Sequence, residues 1–323
     1  MKIGVVGCGA VGSYYGARLL QAGHDVHFLL RSDFDAVQQA GVRIESASGN
    51  FTVRPTLARS PNDIGPCDLV LIALKTLANH QFPHLLPPLL GAHTTLVTLQ
   101  NGLGSDELLA AQFGPDRVGG GLCFIGVHRV APGVVRHVGL GLMIIGAFAG
   151  RPGPILHHLA DSLRQTGVPA ELKPDLAAAR WEKLVWNIPF NGLGIAAAVG
   201  HDAFQASHVP PGFQPGTTVP TSALLEDSRW AATVRELMVE VVASAAALGH
   251  PLPPTVVEDN LARTRRMGPY RPSTLLDYER GAPLELESIF LEPRRRARAA
   301  GVATPWLDRV CSVMQELANL NRP

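Results

Sequence analysis

Near the start of the chain, Gly7-Cys8-Gly9-Ala10-Val11-Gly12 places three glycines at GxGxxG spacing. Each glycine answers a separate demand: a tight turn, a close approach of backbone to a pyrophosphate, and a helix packed against its neighbour with no Cβ between them. Amides opening the following helix would then face the phosphates. A glycine cluster can also be a purely structural turn. Here it lies between an apolar strand, Lys2–Val6, and a helical stretch, Ala10–Gln21, which is the context that dinucleotide binding requires. The next strand, Asp25–Leu30, runs into Arg31-Ser32, where an NAD-binding chain carries an acid for the ribose hydroxyls. Arg31 in that place favours a 2′-phosphate, and hence NADP(H). The alternative is a solvated Arg31 with Asp33 reaching the ribose.

Two further polar residues follow apolar strands. Lys75 comes after Leu69–Leu74, and Asn101 lies in Leu99-Gln100-Asn101-Gly102-Leu103-Gly104. In doubly wound sheets ligands bind at strand C-termini, although Lys75 by itself also reads as a surface lysine and Asn-Gly as a turn. Farther on, Lys183, Asn187 and Asn191 fall at i, i+4 and i+8, one stripe of a helix that is otherwise apolar. Buried asparagines can also serve neighbouring backbone. Ser273 and Glu285 add a hydroxyl and a carboxylate, and on local grounds read as a helix N-cap and a first-turn charge.

These residues need a scaffold, and the pattern supplies one. Strand, turn, helix and strand within the first 30 residues form a βαβ unit. The alternation continues through strand Asp68–Ala73, a proline-interrupted helical segment Leu77–Leu90, strand Thr94–Leu99 and a helix after Gly104. Val42–Ile44 with Phe51–Val53, and Gly126–Arg129 with Val134–His137, read as hairpins, with Leu142–Ile145 closing an edge. Beyond Pro174 the pattern turns to long helices: Leu176–Ile188, Ser228–Leu248 and Glu285–Ala300, the last kinked at Pro293. The expected fold is therefore α/β, a Rossmann-type dinucleotide-binding domain over 1–173 and an all-helical domain over 174–323. His208–Ser222, rich in proline and glycine, is expected to be a mobile loop.

Bulk properties agree with a globular, two-domain chain. There are 323 residues, 46% apolar and 17% charged, with a formal net charge of +1, which leaves no broad basic face for nucleic acid. Cys8, Cys67, Cys123 and Cys311 form no CxxC pair, so neither a zinc site nor a disulfide framework is expected, and the compartment reads as a reducing cytoplasm. The N-terminus lacks a signal-peptide pattern, and the apolar run Leu140–Ala149 is too short to span a bilayer, so no membrane association is expected.

Taken in order, these segments resemble the ketopantoate reductase family, and the resemblance covers nearly the whole chain. It rests on GCGAVGSYYGARL, Arg31, Lys75, LQNGLG, APGVVRHVG with IIGAFAG, WEKLVWNIPFNGL, PSTLLDYERGAPLELE and AAGVATPWLDRV. The resemblance implies that 2-dehydropantoate, a small 2-oxo acid, is reduced to (R)-pantoate with NADPH, in pantothenate and coenzyme A biosynthesis. It makes Lys183 the general acid, with Glu285 and Ser273 helping to hold the substrate. Asn101, Asn187 and Asn191 would orient substrate and nicotinamide, and Lys75 would sit between cofactor and substrate. An ammonium beside the ketone oxygen suits the charge that grows there. Three departures flank the expected pocket: His201 stands where some members carry an asparagine, the loop after it is longer, and Pro189 interrupts the stripe. The alternatives are a paralogue acting on another 2-oxo acid and a non-catalytic NADP-binding regulator. PSTLLDYERG and Glu285 favour the ketopantoate type over the β-hydroxyacid dehydrogenases. Any oligomer is expected to be a homodimer.

Overall fold

The computed structural model describes residues 1–214 and 218–321. Its contacts divide the chain into Met1–Ala179 and Arg180–Pro323, a border six residues past the one expected from the sequence and inside the helix Leu176–Ala196.

In the first unit ten strands form one sheet: β1 Lys2–Val6, β2 Asp25–Leu29, β3 Val42–Ser46, β4 Phe51–Val53, β5 Thr56–Ala58, β6 Cys67–Ile72, β7 Leu90–Thr98, β8 Val118–Ala131, β9 Val134–Ala147 and β10 Ala170–Leu172. The strands β5-β2-β1-β6-β7-β8 lie side by side and all parallel. Setting the β3–β4 hairpin aside, this is the Rossmann order third-second-first-fourth-fifth-sixth. Ile3, Val5, Leu69, Leu71 and Val97 pack on one face with Tyr15, Leu19, Leu159 and Leu163, and Val6, Val70, Ile72 and Leu96 pack on the other with Phe82, Leu86 and Leu109. Both faces are covered, so these strands read as unbroken apolar runs.

Several expected elements changed extent. The hairpin Val42–Ile44 with Phe51–Val53 has the expected pairing, but it joins the main sheet because β3 runs parallel to β9. The second hairpin is far longer than its sequence suggests. Register shifts after Phe124, Gly126 and Arg129 break the two-residue period that would mark β8 as one strand. Pro83, Pro87 and Pro88 reduce the segment expected as a helix over Leu77–Leu90 to two 3₁₀ turns and a single α-turn, and strand β7 already starts at Leu90. Strand β5, strand β10 and the helix Pro154–Gln165 have no counterpart in the sequence-based expectation.

Helices alone make up the second unit among the described residues. Leu176–Ala196 continues through Pro189, and its side chains from Trp181 to Ala196 are mostly buried. The helix expected over Glu285–Ala300 splits into a π-helical turn, Glu287–Leu291, and an α-helix, Glu292–Ala299. Pro293 offers no N–H to the carbonyl four residues back, and the wider turn preceding it accommodates the ring. The proline-rich stretch holds no regular element between Ala206 and Pro220 among the described residues, and positions 215–217 lie outside them. It is tied near both ends, by Val209 N to Glu316 (3.2 Å) and by Val219 N to the Gly194 carbonyl (2.8 Å). No helix of the described residues is long and apolar enough to cross a membrane, and none of their His, Cys, Asp and Glu side chains form a metal-holding group.

One buried carboxylate joins helices distant in sequence. Glu240, within Ser228–Ala247, accepts hydrogen bonds from Trp306 N (2.8 Å) and Leu307 N (2.9 Å), capping the helix Pro305–Leu320, whose own N-cap residue Thr304 makes no side-chain cap bond. Burial raises the Glu240 carboxyl above its ordinary value, against the two amides that lower it. We predict that Glu240→Ala, leaving two amides without acceptors, costs about 1–3 kcal/mol in thermal or denaturant unfolding. Because the folded-state pKa is raised, the stabilising contribution is fullest below the unfolded carboxyl's pKa and declines as pH rises through the folded value. The gap between parent and variant should therefore narrow from about pH 4 to pH 7. A gap that widens over that range refutes the assignment.

Candidate active site

The glycine turn lies at the carboxyl end of β1. Gly7 has φ +100°, and a Cβ there would fall 2.4 Å from Leu74 N, in the segment after β6 that leads to Lys75. A Cβ on Gly12 would fall 2.3 Å from the Gly7 carbonyl oxygen. Both positions are therefore closed to side chains by backbone. Gly9 differs: its φ of −75° suits any residue, and a Cβ there would meet nothing within 4 Å. The open space beside Gly9 faces the start of the helix Ala10–Gln21, which has no side-chain cap. Uncapped amides next to a Cβ-free hollow are what a pyrophosphate requires, so the residues fit a dinucleotide. Ser13 Oγ donates to the Cys8 carbonyl (3.0 Å) and Cys8 Sγ to the Val5 carbonyl (3.4 Å), pinning the turn. Burial, and secondarily the Asp33 charge, pushes the Cys8 thiol well above its ordinary value, so it remains protonated.

The ends of β2, β1, β6 and β7 share one edge of the sheet, which brings Arg31, the glycine turn, Lys75 and Asn101 to the same side. Arg31 is exposed and makes no hydrogen bond or ion pair with any described residue. The alternative ribose ligand, Asp33, is buried and paired with Arg129 (2.8 and 2.5 Å), and it also accepts from Gly133 N and Ser32 Oγ. Its carboxylate is thereby committed inside the protein. Lys75 is exposed at the N-cap of the 3₁₀ turn Thr76–Gln81, and Asn101 is half-buried between β7 and the helix Ser105–Phe113. A polar chain that sequence reasoning missed connects these two loops. Thr98 Oγ1 donates to Gln100 Oε1 (3.0 Å), Gln100 Nε2 to Asn79 Oδ1 (2.7 Å), and Asn79 Nδ2 to Ser105 Oγ (3.1 Å). Gln100 sat inside the LQNGLG segment, but nothing local identifies Asn79 as its partner.

In the second unit, Lys183 is half-buried, while Asn187 and Asn191 are 6% and 3% exposed. The two asparagines have different tasks. Asn191 Nδ2 donates to the Asn187 carbonyl (2.8 Å), and Asn191 Oδ1 accepts from Thr274 N (3.3 Å), in the first turn of the helix Ser273–Glu279. That helix has Pro272 at its cap position, so Asn191 supplies the missing acceptor. The Asn187 side-chain amide has no hydrogen-bond partner among the described residues. An amide left without an internal partner is available to a ligand. Ser273 is not the N-cap: it is the first helical residue, exposed, with no hydroxyl partner among the described residues. Nor is Glu285 a solvated first-turn charge, since it is 7% exposed, just ahead of the π-helical turn. His201 opens the helix His201–Gln205, its ring edge-on to Trp230 (4.8 Å between centroids) and its Nε2 3.3 Å from Thr233 Oγ1.

A Rossmann-ordered sheet with a glycine turn fitted to a pyrophosphate, followed by a helical unit carrying a lysine and amides on one stripe, defines an oxidoreductase that uses a nicotinamide dinucleotide. The chain matches the family model described as ketopantoate reductase PanE/ApbA over residues 3–150, and that of its C-terminal domain over 216–318. It is 35% identical to a 2-dehydropantoate 2-reductase of Nostoc sp., over 99% of this chain and 96% of that one. Among solved structures it resembles 2-dehydropantoate 2-reductases from Geobacter metallireducens (TM-score 0.89, 39% identity, 98% and 99% of the two chains) and Methylococcus capsulatus (TM-score 0.88, 34% identity, 100% and 98%). The chain belongs to the ketopantoate reductase family.

Gly9 and Gly12 should separate binding from folding. Gly9→Ala should leave stability within about 0.5 kcal/mol of the parent, yet weaken binding of the reduced nicotinamide cofactor by about tenfold or more as the hollow fills. Gly12→Ala forces backbone apart and should destabilise by about 1–3 kcal/mol. Thermal unfolding and a fluorescence titration of the cofactor read both effects. Unaltered cofactor affinity in Gly9→Ala would show that the hollow is not where the phosphates lie.

Proposed function

We propose that this chain reduces 2-dehydropantoate to (R)-pantoate with NADPH, in the cytoplasm, as a step of pantothenate and coenzyme A biosynthesis. The observation that carries the reading is the stripe on the helix Leu176–Ala196, where the side chain of Asn187, one turn from Lys183, has no internal partner among the described residues. Relatives named 2-dehydropantoate 2-reductase along the full length support the substrate. The uncommitted Arg31, beside an Asp33 whose carboxylate is already occupied, supports NADPH over NADH.

When bound, the reduced nicotinamide supplies the hydride that the ketone carbon takes up. Lys183 holds a proton at Nζ for the ketone oxygen, offsets the negative charge growing there and releases that proton as the oxygen becomes a hydroxyl. Recharging from solvent restores the ammonium. Asn187 offers a neutral, directional amide that orients the substrate without disturbing this transfer. Ser273 Oγ and the Glu285 carboxylate hold the 2-oxo acid, and Glu285 also helps to orient Lys183. Asn191, committed to the helix Ser273–Glu279, acts by holding that helix in place. Lys75 and Asn101 serve the nicotinamide end of the cofactor.

Lys183→Ala should lower the single-turnover rate at saturating NADPH and substrate by at least about a hundredfold, with thermal stability and NADPH affinity nearly unchanged. A rate within about threefold of the parent, well short of general-acid catalysis, removes Lys183 from the mechanism. A panel of 2-oxo acids tests the substrate: 2-dehydropantoate should have the highest kcat/KM, and a better substrate in the panel would replace it while leaving the chemistry intact.

A further inference from the structure

The loop that follows β2 carries two residues of opposite charge, and the structure treats them in opposite ways. Arg31 is exposed and unpaired among the described residues. Asp33 is 6% exposed and saturated: Ser32 Oγ (2.9 Å) and Arg129 Nη2 (2.5 Å) donate to Oδ1, and Arg129 Nε (2.8 Å) and Gly133 N (3.1 Å) donate to Oδ2. Arg129 lies near the end of β8 and Gly133 in the turn that leads into β9, about a hundred positions further along the chain. The Gly133 carbonyl in turn accepts from Arg43 N (2.8 Å), so the hairpin end is also tied to β3. Such a two-pronged contact between a guanidinium and a carboxylate fixes orientation as well as charge.

We infer that Arg129 is a specificity-determining residue for the cofactor, because by pairing with Asp33 it neutralises and turns inward the carboxylate of the second-strand loop and leaves Arg31 as the only charge this loop presents to a nucleotide. The inference rests on the proposed preference for NADPH. A carboxylate in this loop is the feature that reads ribose hydroxyls in NAD-binding chains. Left without its countercharge, Asp33 would repel a 2′-phosphate and accept hydrogen bonds from a free 2′-hydroxyl, so the hairpin arginine discriminates between cofactors without touching either. Burial alone would raise the Asp33 carboxyl, but Arg129, the Gly133 amide and Ser32 together hold it below its ordinary value, so it is ionised at neutral pH.

The test is the ratio of kcat/KM for NADPH to that for NADH, measured in the parent, Arg129→Ala, Arg129→Gln, Arg129→Lys and Arg129→Ala with Asp33→Asn. Arg129→Gln keeps hydrogen-bond donors for Asp33 but not the charge, and keeps the question open to measurement should Arg129→Ala fail to fold. Both neutral variants should lower the ratio by about tenfold or more, mainly through KM for NADPH and with little change in kcat. Arg129→Lys should retain most of the parent ratio, and adding Asp33→Asn should restore what Arg129→Ala loses. If Arg129→Gln keeps the parent ratio, or weakens both cofactors equally, Arg129 is a structural clamp only and the inference falls. A parent enzyme that does not prefer NADPH overturns the cofactor reading itself, and this inference with it.

Discussion

A contact without side chains governs the first unit. Backbone meets backbone where β1 ends: the Gly12 Cα faces the Gly7 carbonyl, and Gly7 faces the segment after β6, each closer than a Cβ allows. This closeness lets the helix Ala10–Gln21 start directly over the sheet edge with its first amides uncapped. The same edge gathers the ends of β2, β6 and β7, because parallel strands in one sheet deliver their C-termini to one side. The placement of Arg31, Lys75 and Asn101 thus follows from a turn that none of them belongs to.

Polar side chains do the next level of organisation, and they fall into two sets. Asp33, Gln100, Asn191 and Glu240 are bound to partners from other elements: a hairpin, a neighbouring loop or the start of another helix. Asn191 and Glu240 supply acceptors to backbone amides at helix starts, while Asp33 and Gln100 bond chiefly to side chains, Arg129 and Asn79. Asn187 and the exposed Arg31 and Ser273 have no such partner among the described residues. A side chain whose polar atoms have no internal partner keeps its hydrogen-bonding capacity for solvent or a ligand. The division reassigns Asn191 within the polar stripe. It has the same residue type and spacing as Asn187, but its amide is occupied on both sides.

Proline shapes the second unit in two ways. Pro189 is absorbed within the helix Leu176–Ala196, whereas Pro293 coincides with a π-helical turn just after Glu285. The difference matters because Glu285 sits where regular helix has not yet begun, and a shift in the turn that follows would move its carboxylate.

The amino-acid sequence by itself determined the βαβ start, with β1 and the helix Ala10–Gln21 at their expected bounds, and the pairing of Val42–Ile44 with Phe51–Val53. It also determined the lysine and asparagine stripe. These are local signals: glycine spacing, apolar period and turn chemistry act within a few residues, so one segment contains all the information. Tertiary structure alone decided that the hairpin joins the sheet through β9, that β8 and β9 are long strands, that Asn79 meets Gln100, and that Asp33 turns from a candidate ribose ligand into the partner of Arg129. Asn79 and Gln100 lie about twenty positions apart, and β3 and β9, like Asp33 and Arg129, nearly a hundred, while the β8–β9 pairing runs on through register shifts that hide its period. Which acceptor a buried donor finds depends on how the whole chain closes, and a one-dimensional pattern carries no record of that.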